Sequence, residues 1–182
     1  MIVAEGHRQI SEVGFARFSA REVAKRIGYS IGTVYNVFGS YDQLMLAING
    51  RTLDLWRAYL ERQLGVEEGD RLKRAVEAYF EFAVTHHHAW TAIYDFHLPE
   101  GTQPPDEYQG KVVAIFELVV AEIAQQLGAE RQHEVAALAR SLLATVHGHC
   151  HFALSGTFEY LDETDPIGAA FERVRDAIGR RE

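Results

Sequence analysis

The sequence predicts an all-α protein. Apolar residues recur at helical spacing along most of the 182 residues, and no segment alternates between apolar and polar residues as a half-buried strand does. Glycine, proline and capping residues separate the helical stretches. We therefore expect an N-terminal three-helix helix-turn-helix domain over residues 1–48 and a larger antiparallel helical-bundle domain over residues 49–182.

The predicted helices follow one another with short breaks. They cover residues 2–13, 19–28, 31–38, 40–63, 71–85, a short segment after 88, 106–127, 131–154 and 166–178. Gly65 to Asp70 is a polar linker, and Leu98 to Pro105 is a loop because its three prolines exclude a helix interior.

Capping residues set the bounds of the first helices. Ser19 and Glu22 have the spacing of a capping box, in which the serine hydroxyl accepts from an amide of the first turn and the glutamate reaches back to the serine amide. Gly28 can adopt the left-handed conformation that ends this helix. Ser30 caps the next helix, and Ser40 with Gln43 opens the long one after it.

Residues 20–39 have the pattern of a helix-turn-helix, in which two short helices pack steeply across a tight turn. Ala24 is the small residue expected at the crossing, and Gly28 allows the turn. The residues predicted to face inward are Val23, Ile27, Tyr29, Val34 and Val37. The outer face of the second helix then enters a DNA major groove with Ile31, Gly32, Thr33 and Asn36, and Tyr35 points to the backbone.

This segment resembles the N-terminal signature of the TetR family of transcriptional regulators. The resemblance covers about the first 48 residues and is carried by residues 14–38, GFARFSAREVAKRIGYSIGTVYNVF, followed by Ser40 and Leu44. It implies that residues 31–38 form the recognition helix, and that a dimer binds palindromic double-stranded DNA.

The resemblance also implies roles in DNA binding for individual residues of the N-terminal domain, residues 1–48, which we call the head. Ser19, Thr33 and Tyr35 would contact phosphates, whereas Ile31, Gly32 and Asn36 would face bases. Arg21 and Lys25 would contact the backbone from the preceding helix. The asparagine amide can form two hydrogen bonds with the N6 and N7 atoms of an adenine, so Asn36 is the candidate expected to give the most specific base contact.

Two positions depart from the family pattern. Tyr41 stands where the family usually has a lysine that meets a phosphate, and Val37 stands where it usually has a histidine or an aromatic residue. Loss of one cationic contact weakens DNA binding and lowers its salt dependence, although Tyr41 can still donate one hydrogen bond.

Charge is unevenly distributed between the two predicted domains. The net charge is −8, but residues 1–50 hold five basic groups against four acidic ones. The remaining residues hold 13 basic and 22 acidic groups. This distribution permits DNA binding by the N-terminal domain.

Aromatic residues crowd the middle of the sequence, either as ordinary core or as the lining of a small-molecule site. The family resemblance favours a pocket for an apolar or aromatic effector. Its candidate residues are Phe80, Trp90, Tyr94, Phe116, His147 and His151. A homodimer is expected through the last two long helices. The first of these helices is apolar nearly all round and is therefore expected to be buried on two sides. The alternative is that the last helix only covers the core of its own subunit.

Metal binding and catalysis are the alternatives to this interpretation. His147, Cys150 and His151 have ligand-compatible spacing, and His86 to His88 could add a donor, but no carboxylate stands at motif spacing. No catalytic motif for hydrolysis or phosphate binding is present. We therefore expect no catalytic residue, metal or cofactor.

No apolar run is long enough for a membrane span, and the first residues lack the apolar core of a signal peptide. We expect a cytoplasmic repressor that an effector releases from its operator. The alternative is a helical interaction module with a degenerate DNA-binding head.

Overall fold

The computed structural model describes residues 1–66 and 68–179, and within them the all-α prediction is confirmed because no strand occurs. The helices are α1 (Ile2–Val13), α2 (Ala20–Arg26), α3 (Ile31–Phe38), α4 (Tyr41–Leu64), α5 (Arg71–Thr85), α6 (His87–Asp95), α7 (Asp106–Gln126), α8 (Val135–Leu154) and α9 (Pro166–Gly179). Short 3-10 turns occur at Phe15–Arg17, Ala129–Glu134 and Thr157–Leu161. None of the described helices combines the length and apolar character that a membrane span requires.

The chain forms two compact units. Unit 1 consists of Met1–Arg57 and Thr85–Val113, and unit 2 consists of Ala58–Val84 and Ala114–Glu182 so far as these residues are described. The boundaries between the two units fall inside α4, at the last residue of α5 and inside α7. The functional division at residue 48 stays a prediction.

Unit 1 has its own apolar core, to which α1, α2, α3, α4 and α6 all contribute. Its buried members are Ile10, Ala20, Ala24, Val34, Leu44, Met45, Ile48, Ala89 and Ala92. Gly6 lets α1 approach α4 closely, since a Cβ atom there would overlap Cδ1 of Ile48. The buried side chain of Asn49 donates to the backbone oxygen of Ala92 at 3.0 Å and ties α4 to α6.

The start of α2 differs in one respect from the predicted capping box. The hydroxyl of Ser19 accepts from the amide of Glu22 at 3.3 Å, as expected. The amide of Ser19, however, donates to Oε1 of Gln9 on α1 at 2.9 Å, and Glu22 pairs with Arg26 instead. Because the buried amide of Gln9 already satisfies this donor, the glutamate is left to the surface.

Unit 2 packs α8 against α9, and the entry to α8 is held by long side chains. Arg131 donates to the carbonyls of Ala177 and Ile178 at the end of α9, and Gln132 donates to those of Ala124 and Leu127. These bonds hold residues 129–134 in a 3-10 turn, so α8 begins at Val135 and not at Arg131 as predicted.

In the single chain only one face of α8 is buried, and burial of a second face stays a prediction for the homodimer. One stripe is buried and consists of Val135, Ala139, Leu142, Val146 and Cys150. The opposite face, with Ala136, Ala137 and Ala144, is exposed. A single subunit supplies packing for only one face of this helix.

Candidate nucleic-acid interface and effector site

The predicted helix-turn-helix is formed by α2 and α3. The turn between them contains Gly28 at φ 76°, and the amide of Tyr29 closes it by donating to the oxygen of Ala24 at 2.8 Å. Ala24 and Val34 are buried at the crossing of the two helices. The hydroxyl of Ser30 accepts from the amide of Thr33 at 3.1 Å and so caps α3.

The predicted inward position of two residues is wrong. Tyr29 is 45% exposed and Val37 is 63% exposed. In α3 the inward face is occupied by Ile31, Val34 and Phe38, which follow one another by one helical turn each. The larger Phe38 packs against the core, so the neighbouring Val37 remains in solvent.

The outer face of α3 is available to a partner. Gly32, Tyr35 and Asn36 are exposed, and the half-buried Thr33 has its hydroxyl 3.0 Å from that of Ser30. Ile31 is half-buried against the core of unit 1, which leaves only part of its side chain for a base contact. The roles of these residues in DNA binding stay predictions.

The predicted phosphate contacts flank this face. Arg21 and Lys25 are exposed on α2. Ser19 uses its hydroxyl oxygen as the helix cap and retains its proton for donation. Tyr41 lies at the start of α4 with its ring 6.1 Å from that of Phe18, and desolvation raises the pKa of Tyr41, so its hydroxyl remains a donor.

An ion-pair cluster contains three of the four acidic side chains of residues 1–50. Arg8 binds Glu5 and Glu12, each at 2.7 Å. Arg26 approaches Glu12 at 3.0 Å and both Glu5 and Glu22 at longer distances. Three carboxylates therefore meet two guanidinium groups here.

The effector candidates do not belong to one compact unit. Trp90 and Tyr94 lie in unit 1, where Trp90 is buried with its ring 5.5 Å from that of Tyr94 and 5.8 Å from that of Trp56. Phe80, Phe116, His147 and His151 lie in unit 2. Phe80 is buried there and Phe116 is half-buried. Their role in ligand binding stays a prediction.

The two histidine candidates are neighbours on α8. Their rings stack with centroids 6.2 Å apart, and Nδ1 of His147 lies 2.8 Å from the hydroxyl of Tyr79 on α5. Burial, with a contribution from His151, lowers the pKa of His147. Tyr79 is absent from the candidates predicted from sequence, because the pairing joins residues 68 positions apart and no local pattern signals it.

The cysteine between these histidines is not poised as a metal ligand. Cys150 is buried, and burial raises its pKa to about 12, so it holds its proton. Within residues 1–66 and 68–179, no three histidine, cysteine or carboxylate side chains are grouped to hold a metal ion.

Family profiles match both parts of the chain. Residues 2–48 match "Bacterial regulatory proteins, tetR family", and residues 72–178 match "Tetracyclin repressor-like, C-terminal domain". Together these matches cover most of the sequence. No curated protein sequence gives a significant match.

Several solved structures share the fold of this chain. A protein of unknown function from Rhodococcus sp. RHA1 is 20% identical, with a TM-score of 0.76 and coverage of 97% of this chain and 90% of that one. The multidrug binding protein EbrR, complexed with imidazole, is 20% identical, with a TM-score of 0.68 over 100% and 94% of the two chains. A variant of TetR from Acinetobacter baumannii AYE, in complex with minocycline, is 19% identical, with a TM-score of 0.59 over 97% and 92%.

Proposed function

This chain belongs to the TetR family of bacterial regulatory proteins, and we propose that it is a repressor that leaves a palindromic operator when a small apolar or aromatic effector binds. As a member of that family it is a DNA-binding transcription regulator with a ligand-binding C-terminal domain. Such regulators are generally not enzymes, and the proposal assigns the chain no reaction. It acts where bacterial DNA lies, in the cytoplasm.

The observation that carries the proposal is the outer face of α3. Asn36 and Tyr35 are exposed there, while Val34 and Phe38 anchor the helix to the core of unit 1. A helix held from behind can present its amide to the edge of an adenine without reorganisation, which makes Asn36 the proposed base contact. The adjacent Gly32 has no side chain to hold the backbone away from the groove.

Phosphate contacts position this helix. We assign them to the hydroxyls of Ser19, Thr33 and Tyr35 and to the cations of Arg21 and Lys25, with Tyr41 as a neutral donor at the start of α4. Cationic contacts release counterions from DNA, so Lys25 contributes to the salt dependence of binding, whereas Tyr41 does not.

A homodimer follows from the need for two heads on a palindrome. The exposed small-residue face of α8, together with α9, suits an isologous four-helix interface. Effector binding would change the spacing of the two heads, and by linkage DNA would weaken effector binding to the same extent.

The second candidate is a helical interaction module with a degenerate head. Tyr41 in place of the family's lysine and the net charge of −8 favour it. In that case the outer face of α3 would have no role in binding DNA.

Selection from a random duplex library by the purified protein, at two salt concentrations, tests the proposal. We expect recovery of a palindrome bound by a dimer. Asn36→Ala should then lose about 1–3 kcal/mol of operator binding free energy, and Lys25→Gln should lower the salt slope by about one unit. Gln125→Ala, which removes an exposed amide on α7, is the matched control.

Two results would count against the repressor. Failure to enrich any sequence, or equal DNA affinity of the wild type and Asn36→Ala, would favour the interaction module. An enriched site without twofold symmetry would contradict binding as a dimer but would still support DNA binding.

A further inference from the structure

Unit 1 contains a cleft of about 500 Å³ beside the end of the recognition helix. Its size is within the range of roughly 300–1,000 Å³ in which small-molecule sites fall. One wall is apolar and includes Val3 of α1, Val37 and Phe38 of α3, and Leu46 of α4. None of the six effector candidates lines this cleft.

The opposite wall is charged, and its acidic groups have a partner within the cleft. Nζ of Lys111 lies 2.8 Å from both carboxylate oxygens of Asp54 and 3.8 Å from the carboxylate of Glu107. The carboxylates of Asp54 and Glu107 therefore both lie near the ammonium group of Lys111, a residue of α7 whose side chain reaches Asp54 of α4.

Arg51 is the cation of this cleft that remains for a ligand. In the described part of the chain, no ion pair engages its exposed guanidinium group. Tyr108, a second donor on the same cleft, is half-buried, and none of the described hydrogen bonds uses its hydroxyl. Desolvation raises the pKa of Tyr108, so the hydroxyl keeps the proton that it can donate.

Within the cleft, α4 approaches α7 closely at Gly50. A Cβ atom at Gly50 would lie 3.5 Å from Cδ and Cε of Lys111 and 3.8 Å from the ring of Tyr108. The glycine thus leaves room beneath the ion pair. Asp54 in turn holds Lys111 there.

We propose that this cleft is a second small-molecule site, for an amphipathic carboxylic acid whose carboxylate pairs with Arg51 and Tyr108 while its apolar part covers Val37 and Leu46. A carboxylate accepts from a guanidinium group through two oxygens, which matches the unused donors. The apolar part covers the exposed side chain of Val37, which otherwise remains in water. The site does not depend on the proposed repressor function.

Binding of sodium octanoate, compared with octan-1-ol, tests the charge requirement. We expect octanoate to bind the full-length wild type at least roughly tenfold more tightly than the alcohol, because a charge-assisted contact is worth more than a neutral one. Titration calorimetry gives both affinities. In methyl-labelled wild type, the methyl signals of Val3, Val37 and Leu46 should shift on addition of octanoate.

Variants locate the site. Arg51→Gln should reduce octanoate affinity to that of octanol, and Arg51→Lys should restore part of it. Arg140→Gln, an exposed arginine on α8, is the matched control and should bind as the wild type does. Ala47→Phe, which adds bulk to a lining residue of the cleft, should abolish binding of both compounds at this site.

Three outcomes would overturn the proposal. They are equal affinity for octanoate and octanol, octanoate binding that Arg51→Gln leaves unchanged, and absence of shifts at the three methyl-bearing residues in the wild type. The last observation uses the unaltered protein, so it stands even where a variant fails to fold.

Discussion

The hydroxyl of Tyr79 on α5 and Nδ1 of His147 on α8 lie 2.8 Å apart, with the two rings edge to face. Burial and the neighbouring His151 lower the pKa of His147, so its imidazole is neutral at pH 7. We predict that Nδ1 accepts from the phenol, which places the proton of the neutral imidazole on Nε2.

Removal of this hydrogen bond should change the tautomer of His147. In Tyr79→Phe the ring loses the donor to Nδ1, so we expect the free energy of unfolding to fall by about 1 kcal/mol. Burial and His151 remain, so the pKa of His147 should stay below its ordinary value. Nitrogen chemical shifts measured against pH report both the pKa and the tautomer. Tyr160→Phe changes an exposed tyrosine and is the control. A wild-type His147 protonated on Nδ1 at pH 7 would contradict this assignment.

Gln9 and Glu22 should contribute differently to the stability of the N-terminus of α2. Gln9→Ala leaves the part-buried amide of Ser19 without its acceptor, and we expect a loss of about 1–3 kcal/mol in the free energy of unfolding. Glu22→Gln breaks only an exposed pair with Arg26 and should change stability by less than about 1 kcal/mol. Urea denaturation of both variants measures the two changes in the free energy of unfolding. A larger effect of Glu22→Gln would restore the reciprocal capping box.

The ion pair between Arg71 and Glu122 should be important for the stability of unit 2. The side chain of Glu122 is only 8% exposed, and Arg71 donates to its two oxygens at 2.6 and 2.8 Å. Arg71 also donates to the backbone oxygen of Leu64. Arg71→Ala leaves the buried carboxylate without its partner. Because Arg71 is 36% exposed and water can reach the site, we expect a loss of about 1–3 kcal/mol in thermal or urea unfolding.

The control for this prediction is an exposed pair on the same helix. Lys73 approaches Glu77 at 3.7 Å, and Lys73→Ala should change the free energy of unfolding by less than about 0.5 kcal/mol. Equal effects of Arg71→Ala and Lys73→Ala would show that the burial of Glu122 does not matter.

His7 should make the protein less stable in mild acid. Burial, with contributions from Arg51 and His86, lowers the pKa of His7 to about 4, and its Nε2 is buried without a hydrogen-bond partner. The unfolded chain, with a pKa near 6.5, binds a proton that the folded chain rejects. Stability is therefore fully present above pH 6.5 and falls as the pH drops from 6.5 to about 4.

Urea unfolding at pH 7 and at pH 5 measures this effect. His7→Gln cannot titrate, so the difference between the two pH values should be smaller than in the wild type. His97→Gln, at an exposed position, should retain the wild-type difference. An unchanged pH dependence in His7→Gln would place the acid sensitivity at another group.

Local physics explains which features could be predicted from the sequence. Helical periodicity, the hydroxyl caps of Ser19 and Ser30 and the positive φ of Gly28 depend on residues within a few positions of one another. The helix-turn-helix was predictable for that reason, and its resemblance to a known family agrees with the profile matches over residues 2–48 and 72–178.

Contacts between distant residues decided the rest. Periodicity allowed either Val37 or Phe38 to face inward, and in the structure Phe38 packs against the core whereas Val37 is exposed. Gln9 displaced Glu22 as the acceptor for Ser19 because α1 brings a buried amide to that point. The pairing of Tyr79 with His147 and the cleft beside Arg51 likewise depend on helices that are far apart in sequence. The sequence by itself determined the order of the helices, the hydroxyl caps of Ser19 and Ser30 and the family. Only tertiary packing determined which polar groups meet, because no local pattern encodes the partner of a buried donor.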